Sequence, residues 1–149
     1  MLPNVKCEAI TPEEKILNEY NTVALVGVSP NPKQASCRVA SYLDKHGYEV
    51  IPVNPHAREI LGKTSYPNLS AIAEAVEVVD IFRSSEQVMP IVDEAIKIGA
   101  KAVWMQEGVI NEQAASKARD AGLLVVMDKC MRKEHLRLQR KKGLPESYE

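Results

Sequence analysis

The sequence lacks the features that would place the protein in a membrane or outside the cell. Its apolar runs, such as residues 23–28, are far shorter than the roughly 20 residues of a membrane-spanning helix. Residues 1–10 mix proline, asparagine and charged residues, which is not the pattern of a signal peptide. The cysteines are few and widely spaced, at Cys7, Cys37 and Cys130, and an odd set of this kind does not form a disulfide framework. We therefore expect a cytoplasmic protein in a reducing compartment and no membrane partner.

Excess charge of one sign is also missing. The 19 Lys and Arg residues nearly balance the 20 Asp and Glu residues, which excludes a general attraction to nucleic acid or to anionic membranes. The exception is a basic run near the end of the chain, which contains Arg132, Lys133, Arg137, Arg140, Lys141 and Lys142. Because no aromatic residues for base stacking lie within this run, we expect a solvated helix and no nucleic-acid partner.

The pattern of apolar residues predicts the fold. A chain of 149 residues, 45 % of them hydrophobic, has the size of one domain. Runs rich in β-branched residues predict buried strands over 23–28, 49–53, 78–82, 102–105 and 123–127. Apolar residues at helical spacing predict helices over 36–46, 69–75, 85–98 and 111–121. Because strands and helices alternate, we predict a three-layer, doubly wound, Rossmann-like α/β fold with a parallel sheet of about five strands.

Two further helices are predicted at the margins of this alternating unit. Thr11 precedes Pro12, and Glu14 follows at the capping-box position, so a lead helix over 11–20 is expected. A basic helix is expected over 132–142, followed by an irregular end. We treat 1–149 as a single domain, with 1–20 as a lead segment and 132–149 as a basic helix and tail.

The loop after the first strand is the first candidate ligand contact, because doubly wound sheets bind ligands beyond the carboxyl ends of their strands. Gly27 allows close approach to the backbone, Ser29 and Ser36 offer hydroxyl groups, and Lys33 offers a cation. The following helix adds unpaired N–H groups at its N-terminus, which suits a phosphate. The glycines of a G-x-G-x-x-G loop are absent, so an ordinary strand-to-helix turn remains the alternative. Arg38 lies one helical turn further on, and its direction is open.

The ends of the next two strands carry further candidates. An NAD domain places an acid at the end of its second strand to hold the ribose, whereas this chain has Asn54, His56 and Arg58 there. Such a neutral-to-basic tip suits a ribose that carries its own phosphate, as in NADP or coenzyme A. Arg83 follows the third strand, where it either meets a pyrophosphate or pairs with Glu86.

The sole tryptophan of the chain, Trp104, lies near the end of the fourth strand, and we expect its ring to pack in the core. Gln106 follows it and offers a side-chain amide to a ligand. Gly108 has no side chain, so it leaves room for a narrow, extended part of a ligand.

Five segments fall in one order at fitting spacings. They are GVSPNP (27–32), YEVIPVNP (48–55), VDIFR (79–83), GAKAVWMQ (99–106) and VMDKCM (126–131). Together they resemble the family of stand-alone CoA-binding domain proteins, which is similar to the N-terminal nucleotide domain of succinyl-CoA ligase α subunits. The resemblance runs from about Tyr20 to Leu138 and implies a Rossmann-like fold with coenzyme A as the ligand. It implies no ligase activity, because the ligase phosphohistidine belongs to a part of that enzyme outside the resemblance.

The resemblance also implies the layout of the site. The loop that begins at Gly27 would lie near the diphosphate, the residues around Asn54 along the adenosine, and Arg83 at the closing side of the cleft. The predicted coenzyme-A-binding residues are Gly27, Val28, Ser29, Lys33, Ser36, Arg38, Val53, Asn54, Pro55, Phe82, Arg83 and Gln106.

Polar residues near the end of the last strand could carry other chemistry. Cys130 and His135 would give a nucleophile with a base, or half of a zinc site, and Asp128 and Glu134 lie between and beside them. No second pair of metal ligands accompanies them, so we expect no metal and no catalytic residues, and we expect Asp128 to cap the last helix.

Three functions remain open on the sequence. The leading one is a binding protein rather than an enzyme, which holds or senses coenzyme A or an acyl-CoA. The alternative is a small NADP-dependent oxidoreductase or a nucleotide-sensing regulatory domain, although a reductase usually needs a second, substrate-binding segment. The third is an interaction protein with a basic tail, whose protein partner the sequence does not name.

Overall fold

The computed structural model describes residues 10–143. In chain order its helices and strands are α1 (Pro12–Glu19), β1 (Thr22–Val26), α2 (Ala35–Lys45), β2 (Glu49–Val53), β3 (Glu59–Ile60), β4 (Lys63–Thr64), β5 (Val78–Ile81), α3 (Val88–Lys97), β6 (Ala102–Met105), α4 (Glu112–Asp120), β7 (Leu124–Val126) and α5 (Met131–Lys141). The expectations for Cys7 and for residues 144–149 lie outside the described residues. None of the helices within 10–143 is long and apolar enough to cross a membrane.

The main sheet has five strands in the order β2-β1-β5-β6-β7, and every neighbouring pair is parallel. From β1 the chain moves outward to β2 and later returns to β5 on the other side of β1. The strand order therefore reverses between β1 and β5, which is the topological switch point of a doubly wound sheet. The predicted α/β fold with about five parallel strands is confirmed.

Alternate residues of each strand pack on opposite faces of the sheet, because successive side chains of a strand point to opposite sides. In β1, Val23 and Leu25 pack with buried residues of α1, α2 and α5. Ala24 and Val26 pack with buried residues of α3 and α4. The three predicted layers are thus α1, α2 and α5, then the sheet, then α3 and α4.

The lead helix is part of this packing. Thr11 Oγ1 accepts a hydrogen bond from Glu14 N at 3.1 Å, and Thr11 N donates to Glu14 Oε1 at 3.4 Å, so the predicted capping box is confirmed. Ile16 is fully buried against the sheet face that α2 and α5 cover. The described part of the lead segment therefore belongs to the domain core.

Two local predictions differ from the structure. The helix predicted over 69–75 is a single 3₁₀ turn, Leu69–Ala71, because the backbone is already extended at Ile72. The antiparallel hairpin of β3 and β4 was not predicted from the sequence. Its two turn residues, Leu61 and Gly62, have φ of 56° and 71°, as a tight hairpin requires. Leucine seldom adopts this conformation, so only Gly62 signalled the turn.

Candidate functional site

A cavity of about 560 Å³ opens where the carboxyl ends of β1, β2 and β5 meet. We call it the switch-point cavity. Val26 and Val53, the last residues of β1 and β2, form part of its lining. Small-molecule sites in proteins have volumes of about 300–1,000 Å³, so the switch-point cavity has the size and the place in the fold that a ligand site requires.

The lining of the switch-point cavity includes apolar and rigid residues. They are Pro55, Pro67, Leu69, Pro90 and Ile91. Proline rings fix the backbone torsion φ and lose little entropy when a ligand packs against them. Such residues suit a flat aromatic group.

Charged and ionisable side chains also line the cavity. They are His56, Arg83, Glu86 and Glu94. Glu94 Oε2 already accepts hydrogen bonds from N and Oγ of Ser70, at 2.9 and 2.7 Å. The switch-point cavity therefore has both a cation for an anionic ligand and hydrogen-bond acceptors in its lining.

Arg83 lies half-buried next to Gly27. Its guanidinium forms no hydrogen bond or ion pair within residues 10–143, so the alternative pairing with Glu86 is not formed there. A Cβ atom on Gly27 would lie 3.2 Å from Arg83 Cδ and Nε and 3.2 Å from the carbonyl oxygen of Phe82. Gly27 also has φ of 91°, a conformation that favours glycine. Glycine is therefore required here both by the backbone and by the closeness of Arg83.

The β1–α2 loop holds its two serines in defined positions. Ser36 Oγ accepts a hydrogen bond from Ser29 N at 2.9 Å, and Ser29 Oγ accepts one from Asn31 N at 3.0 Å. A serine hydroxyl that accepts from a backbone N–H can still donate its own proton. Both serines can therefore donate to an anion that approaches this loop.

The end of the same loop offers further donors. Gln34 is the N-cap of α2, and its side chain makes no capping hydrogen bond, so the first N–H groups of the helix lack a side-chain acceptor. Lys33 is exposed, and its ammonium group has no partner within the described residues. Residues 27–35 contain no Asp or Glu, so these groups give the loop a positive potential.

Asn54 joins the ends of β1 and β2. Its Nδ2 donates to the carbonyl oxygen of Val28 at 2.9 Å, and its Oδ1 accepts from His56 N at 2.8 Å. Its backbone N donates to the carbonyl oxygen of Tyr66 at 2.9 Å. These hydrogen bonds therefore connect Asn54 to the loop after β1 and to Tyr66, and they fix the chain next to Pro55 and His56, which line the switch-point cavity.

The predicted site residues divide into two groups. The structure gathers Gly27, Ser29, Lys33, Ser36, Val53, Asn54, Pro55 and Arg83 around the β1–α2 loop and the switch-point cavity. Four others are directed elsewhere. Val28 is fully buried, Phe82 packs against the core beneath α1, α2 and α5, Gln106 bonds to Asp80, and Arg38 lines a different cavity.

The contact between Gln106 and Asp80 was not anticipated from the sequence. Asp80 lies in β5 with 0 % exposure, and Gln106 Nε2 donates to its Oδ1 at 2.5 Å. Asp80 Oδ2 has no partner within the described residues. Burial raises the pKa of the Asp80 carboxyl to about 8, although the Gln106 hydrogen bond lowers it. The feature of the sequence that could have indicated this contact is a single acidic residue, Asp80, inside an apolar strand.

The polar residues near the last strand do not form one site. Asp128 has φ of 62° and accepts from Gly108 N at 2.7 Å, so the prediction that it caps the last helix is wrong, and Cys130 is the N-cap. His135 Nδ1 is hydrogen-bonded to the Tyr42 hydroxyl at 2.7 Å in the core. Within residues 10–143 no group of three or more His, Cys, Asp or Glu side chains could hold a metal ion.

The prediction that Trp104 packs in the core is confirmed. Trp104 is fully buried in the core beneath α1, α2 and α5, and its Nε1 donates to the carbonyl oxygen of Lys129 at 2.8 Å. The buried cysteine near the start of α2, Cys37, has a pKa raised by burial, so it is not a stabilised thiolate.

These features define a doubly wound α/β domain with a ligand cavity at its switch point. Residues 21–136 match the sequence model of the family described as CoA binding domain. The chain belongs to this family, as the sequence resemblance predicted.

The chain is also similar to individual proteins along most of its length. The chain is 34 % identical over 122 residues to the uncharacterized protein YneT of Bacillus subtilis, a match that covers 82 % of this chain and 90 % of YneT. A solved structure of a hypothetical protein from Pyrococcus horikoshii OT3 is 41 % identical, has a TM-score of 0.84, and is matched over 93 % of this chain and 97 % of that one.

A more distant likeness concerns the fold alone. The dinucleotide-forming acetyl-coenzyme A synthetase 1 of Ca. Korarchaeum cryptofilum matches with a TM-score of 0.68 and 24 % identity. The match covers 76 % of this chain and 27 % of the synthetase chain. A domain of this architecture therefore occurs as one part of a much longer enzyme.

Proposed function

We propose that the protein binds coenzyme A at the carboxyl edge of its sheet and serves to hold or sense it, or an acyl-CoA, without a catalytic apparatus of its own. The observation that carries this proposal is the position of Arg83. Its side chain lines the cavity at the switch point and lies against Gly27, and its guanidinium forms no hydrogen bond or ion pair within residues 10–143. Membership of the CoA-binding domain family supports the identity of the ligand.

The diphosphate of coenzyme A would lie over the β1–α2 loop. There it would accept hydrogen bonds from the Ser29 and Ser36 hydroxyls and from the first N–H groups of α2. Lys33 and Arg83 would supply the cations, and hydrogen bonds to charged groups of this kind contribute about 1.5–3 kcal/mol each. Gly27 leaves room for the Arg83 side chain, whose Cδ and Nε would lie 3.2 Å from a Cβ at this position.

The adenosine would lie in the switch-point cavity. Its base would pack on the prolines and Leu69 of the lining, and its amino group could donate to Glu86 or Glu94. The additional phosphate on the ribose would meet His56 and, beyond it, Arg58. No acid stands at the end of β2 to repel that phosphate.

Calorimetric titration and thermal denaturation with several nucleotides test the proposal. We expect coenzyme A at a hundred times its dissociation constant to stabilise the protein by about 2.7 kcal/mol. Dephospho-CoA should bind more weakly, because it lacks the phosphate that faces His56. Stabilisation by NADP and none by coenzyme A would instead support the alternative of a small NADP-dependent oxidoreductase or regulatory domain.

Two substitutions test the location of the diphosphate. Arg83→Ala and Lys33→Ala should each weaken coenzyme A binding about tenfold or more, since each removes a charge-assisted contact. Lys117→Ala is the matched control, because Lys117 is an exposed cation on α4 that pairs with Asp93. Unchanged affinity in Arg83→Ala and Lys33→Ala would refute the proposed placement of the diphosphate.

A further inference from the structure

The switch-point cavity is lined by polar side chains that the proposed phosphate contacts do not use. Glu94 of α3 lines it, and so does Asn68, which precedes the 3₁₀ turn Leu69–Ala71. Neither side chain is a cation, so neither serves the diphosphate or the phosphate on the ribose. A few placed polar groups of this kind fix the orientation of a ligand in an otherwise apolar pocket.

The two carboxylate oxygens of Glu94 differ in their surroundings. Oε2 accepts hydrogen bonds from N and Oγ of Ser70, at 2.9 and 2.7 Å, and these two bonds hold the carboxylate against the 3₁₀ turn. Oε1 has no hydrogen bond or ion pair within residues 10–143. Since a carboxylate only accepts hydrogen bonds, Glu94 offers a ligand an acceptor that is already fixed in position.

Asn68 offers the complementary group. Its Oδ1 accepts a hydrogen bond from Ala71 N at 2.9 Å, so Nδ2 is the group that remains for a ligand. Nδ2 has no partner among the residues that the structure describes, and it can only donate. Asn68 lies two residues before Ser70, which holds Glu94. The donor and the acceptor therefore border the same part of the cavity.

The other carboxylate of the lining, that of Glu86, is less suited to this role. Glu86 is exposed. Hydrogen bonds from its own backbone N–H and from the Ser84 hydroxyl hold the pKa of this carboxyl below its ordinary value. Its capacity to accept is thus partly used by groups of its own turn, whereas Oε1 of Glu94 is unused.

We propose that Glu94 and Asn68 recognise the base of the bound nucleotide by its Watson–Crick edge and so select adenine against 6-oxopurines. Adenine would donate its 6-amino group to Glu94 Oε1 and accept at N1 from Asn68 Nδ2. In guanine or hypoxanthine an oxygen replaces the amino group and N1 carries a proton, so an acceptor would face the carboxylate and a donor would face the amide. The proposal rests on the proposed function, because that function places the adenosine in the switch-point cavity.

Calorimetry on the full chain compares coenzyme A with its hypoxanthine analogue, in which deamination replaces the 6-amino group by an oxygen. The two ligands are otherwise identical, so the ratio of their dissociation constants measures recognition of the base alone. We expect coenzyme A to bind about tenfold more tightly or better, since the analogue loses a hydrogen bond to a charged group and leaves polar groups mismatched.

Two variants change the recognising groups and preserve their size. Glu94→Gln replaces an acceptor by an amide that can also donate, and it should bring the ratio towards one. Asn68→Asp keeps the oxygen that accepts from Ala71 N but replaces the donor by an acceptor, which suits the N1–H of hypoxanthine, so the ratio should fall here too. Asp93→Asn is the matched control, because this neighbouring carboxylate on α3 pairs with Lys117 and does not line the cavity.

Adenosine and inosine form a second arm, followed by the amide chemical shifts of Leu69 and Ser70. A larger response to adenosine, with a difference that Glu94→Gln removes, would support base recognition even if coenzyme A failed to bind, in which case the proposed function alone would fall. No response to either nucleoside and no binding of coenzyme A would overturn both.

Three results with coenzyme A bound would overturn the base recognition and leave the proposed function standing. The first is equal dissociation constants for coenzyme A and its hypoxanthine analogue. The second is a preference for coenzyme A that survives both Glu94→Gln and Asn68→Asp. The third is a preference lost in Glu86→Gln and retained in Glu94→Gln, which would assign the base to Glu86.

Discussion

The side-chain amide of Asn54 donates to the main-chain carbonyl of Val28 at 2.9 Å and so ties the end of β2 to the loop that follows β1. The two loops form adjoining walls of the candidate coenzyme A site. This side-chain bond therefore adds to the backbone bond from Gly27 N to the carbonyl oxygen of Val53, at 2.9 Å, in fixing their relative position.

Asn54→Asp tests this tie. Aspartate keeps the oxygen that accepts from His56 N but replaces the donor that faces Val28 by a second oxygen. We expect a loss of about 1–3 kcal/mol in the free energy of unfolding, measured by urea denaturation, and weaker coenzyme A binding. Asn68→Asp is the stability control, because Asn68 accepts from Ala71 N through its oxygen, and aspartate caps equally well. Equal stability of the two variants would contradict the role of the bond to Val28.

A pair of glycine substitutions separates backbone strain from the effect on the ligand site. Gly27 and Gly47 have nearly the same φ, 91° and 92°, but a Cβ on Gly47 meets no atom within 4 Å. Gly27→Ala and Gly47→Ala should both cost about 1–2 kcal/mol in stability. Only Gly27→Ala should also weaken coenzyme A binding, because its methyl group would push against Arg83. If both variants bind coenzyme A with equal affinity, displacement of Arg83 does not affect binding, and its expected role is wrong.

Asp80 should make stability fall as the pH rises. Its pKa is raised from 3.8 to about 8 in the folded protein, so between these values the folded state keeps a proton that the unfolded state releases. The associated stability is fully present below pH 3.8 and is lost as the pH approaches 8, by at most about 1.4 kcal/mol per pH unit. Asp80→Asn should flatten this dependence in urea titrations between pH 6.5 and 8. If Asp80→Asn leaves the dependence of stability on pH unchanged, other titrating groups cause that dependence.

His135 should have the opposite effect at lower pH. Burial, with smaller contributions from His46 and Lys142, lowers its pKa from 6.5 to about 4. The unfolded state therefore takes up a proton first as the pH falls, and stability is lost between pH 6.5 and 4, again by at most about 1.4 kcal/mol per unit. In Asp80→Asn, where the opposing slope is absent, stability should drop visibly over this range. Constant stability of Asp80→Asn from pH 6.5 to 4 would contradict a buried, neutral His135.

Most of the architecture could be predicted because strand and helix periods are local signals. The main strands, the helices α1 to α5 and the capping box at Thr11 all follow from apolar spacing and from cap residues. The ends of strands were less predictable: β1 stops at Val26, before the predicted residue 28, because the positive φ of Gly27 turns the chain. The hairpin at Leu61 was missed because its leucine contradicts the usual turn preference.

The position of the candidate site could be predicted from the sequence, but the directions of its side chains could not. The rule that ligands bind beyond strand ends led to the loops at Gly27, Asn54 and Arg83, which the structure brings together. It did not reveal which way each side chain turns. Gln106 is directed to Asp80, a partner that is distant in sequence, and Arg38 lines a different cavity.

The backbone pairing beyond β2 also bears on how copies of the chain can associate. Tyr66 N donates to the carbonyl oxygen of Pro52, and Asn54 N donates to that of Tyr66, so the outer side of β2 is already hydrogen-bonded near its carboxyl end. Pro52 has no N–H of its own to offer to a neighbour. Another molecule could not extend the sheet past this stretch by edge-to-edge strand addition without first displacing Tyr66, which protects the protein against one common route to aggregation.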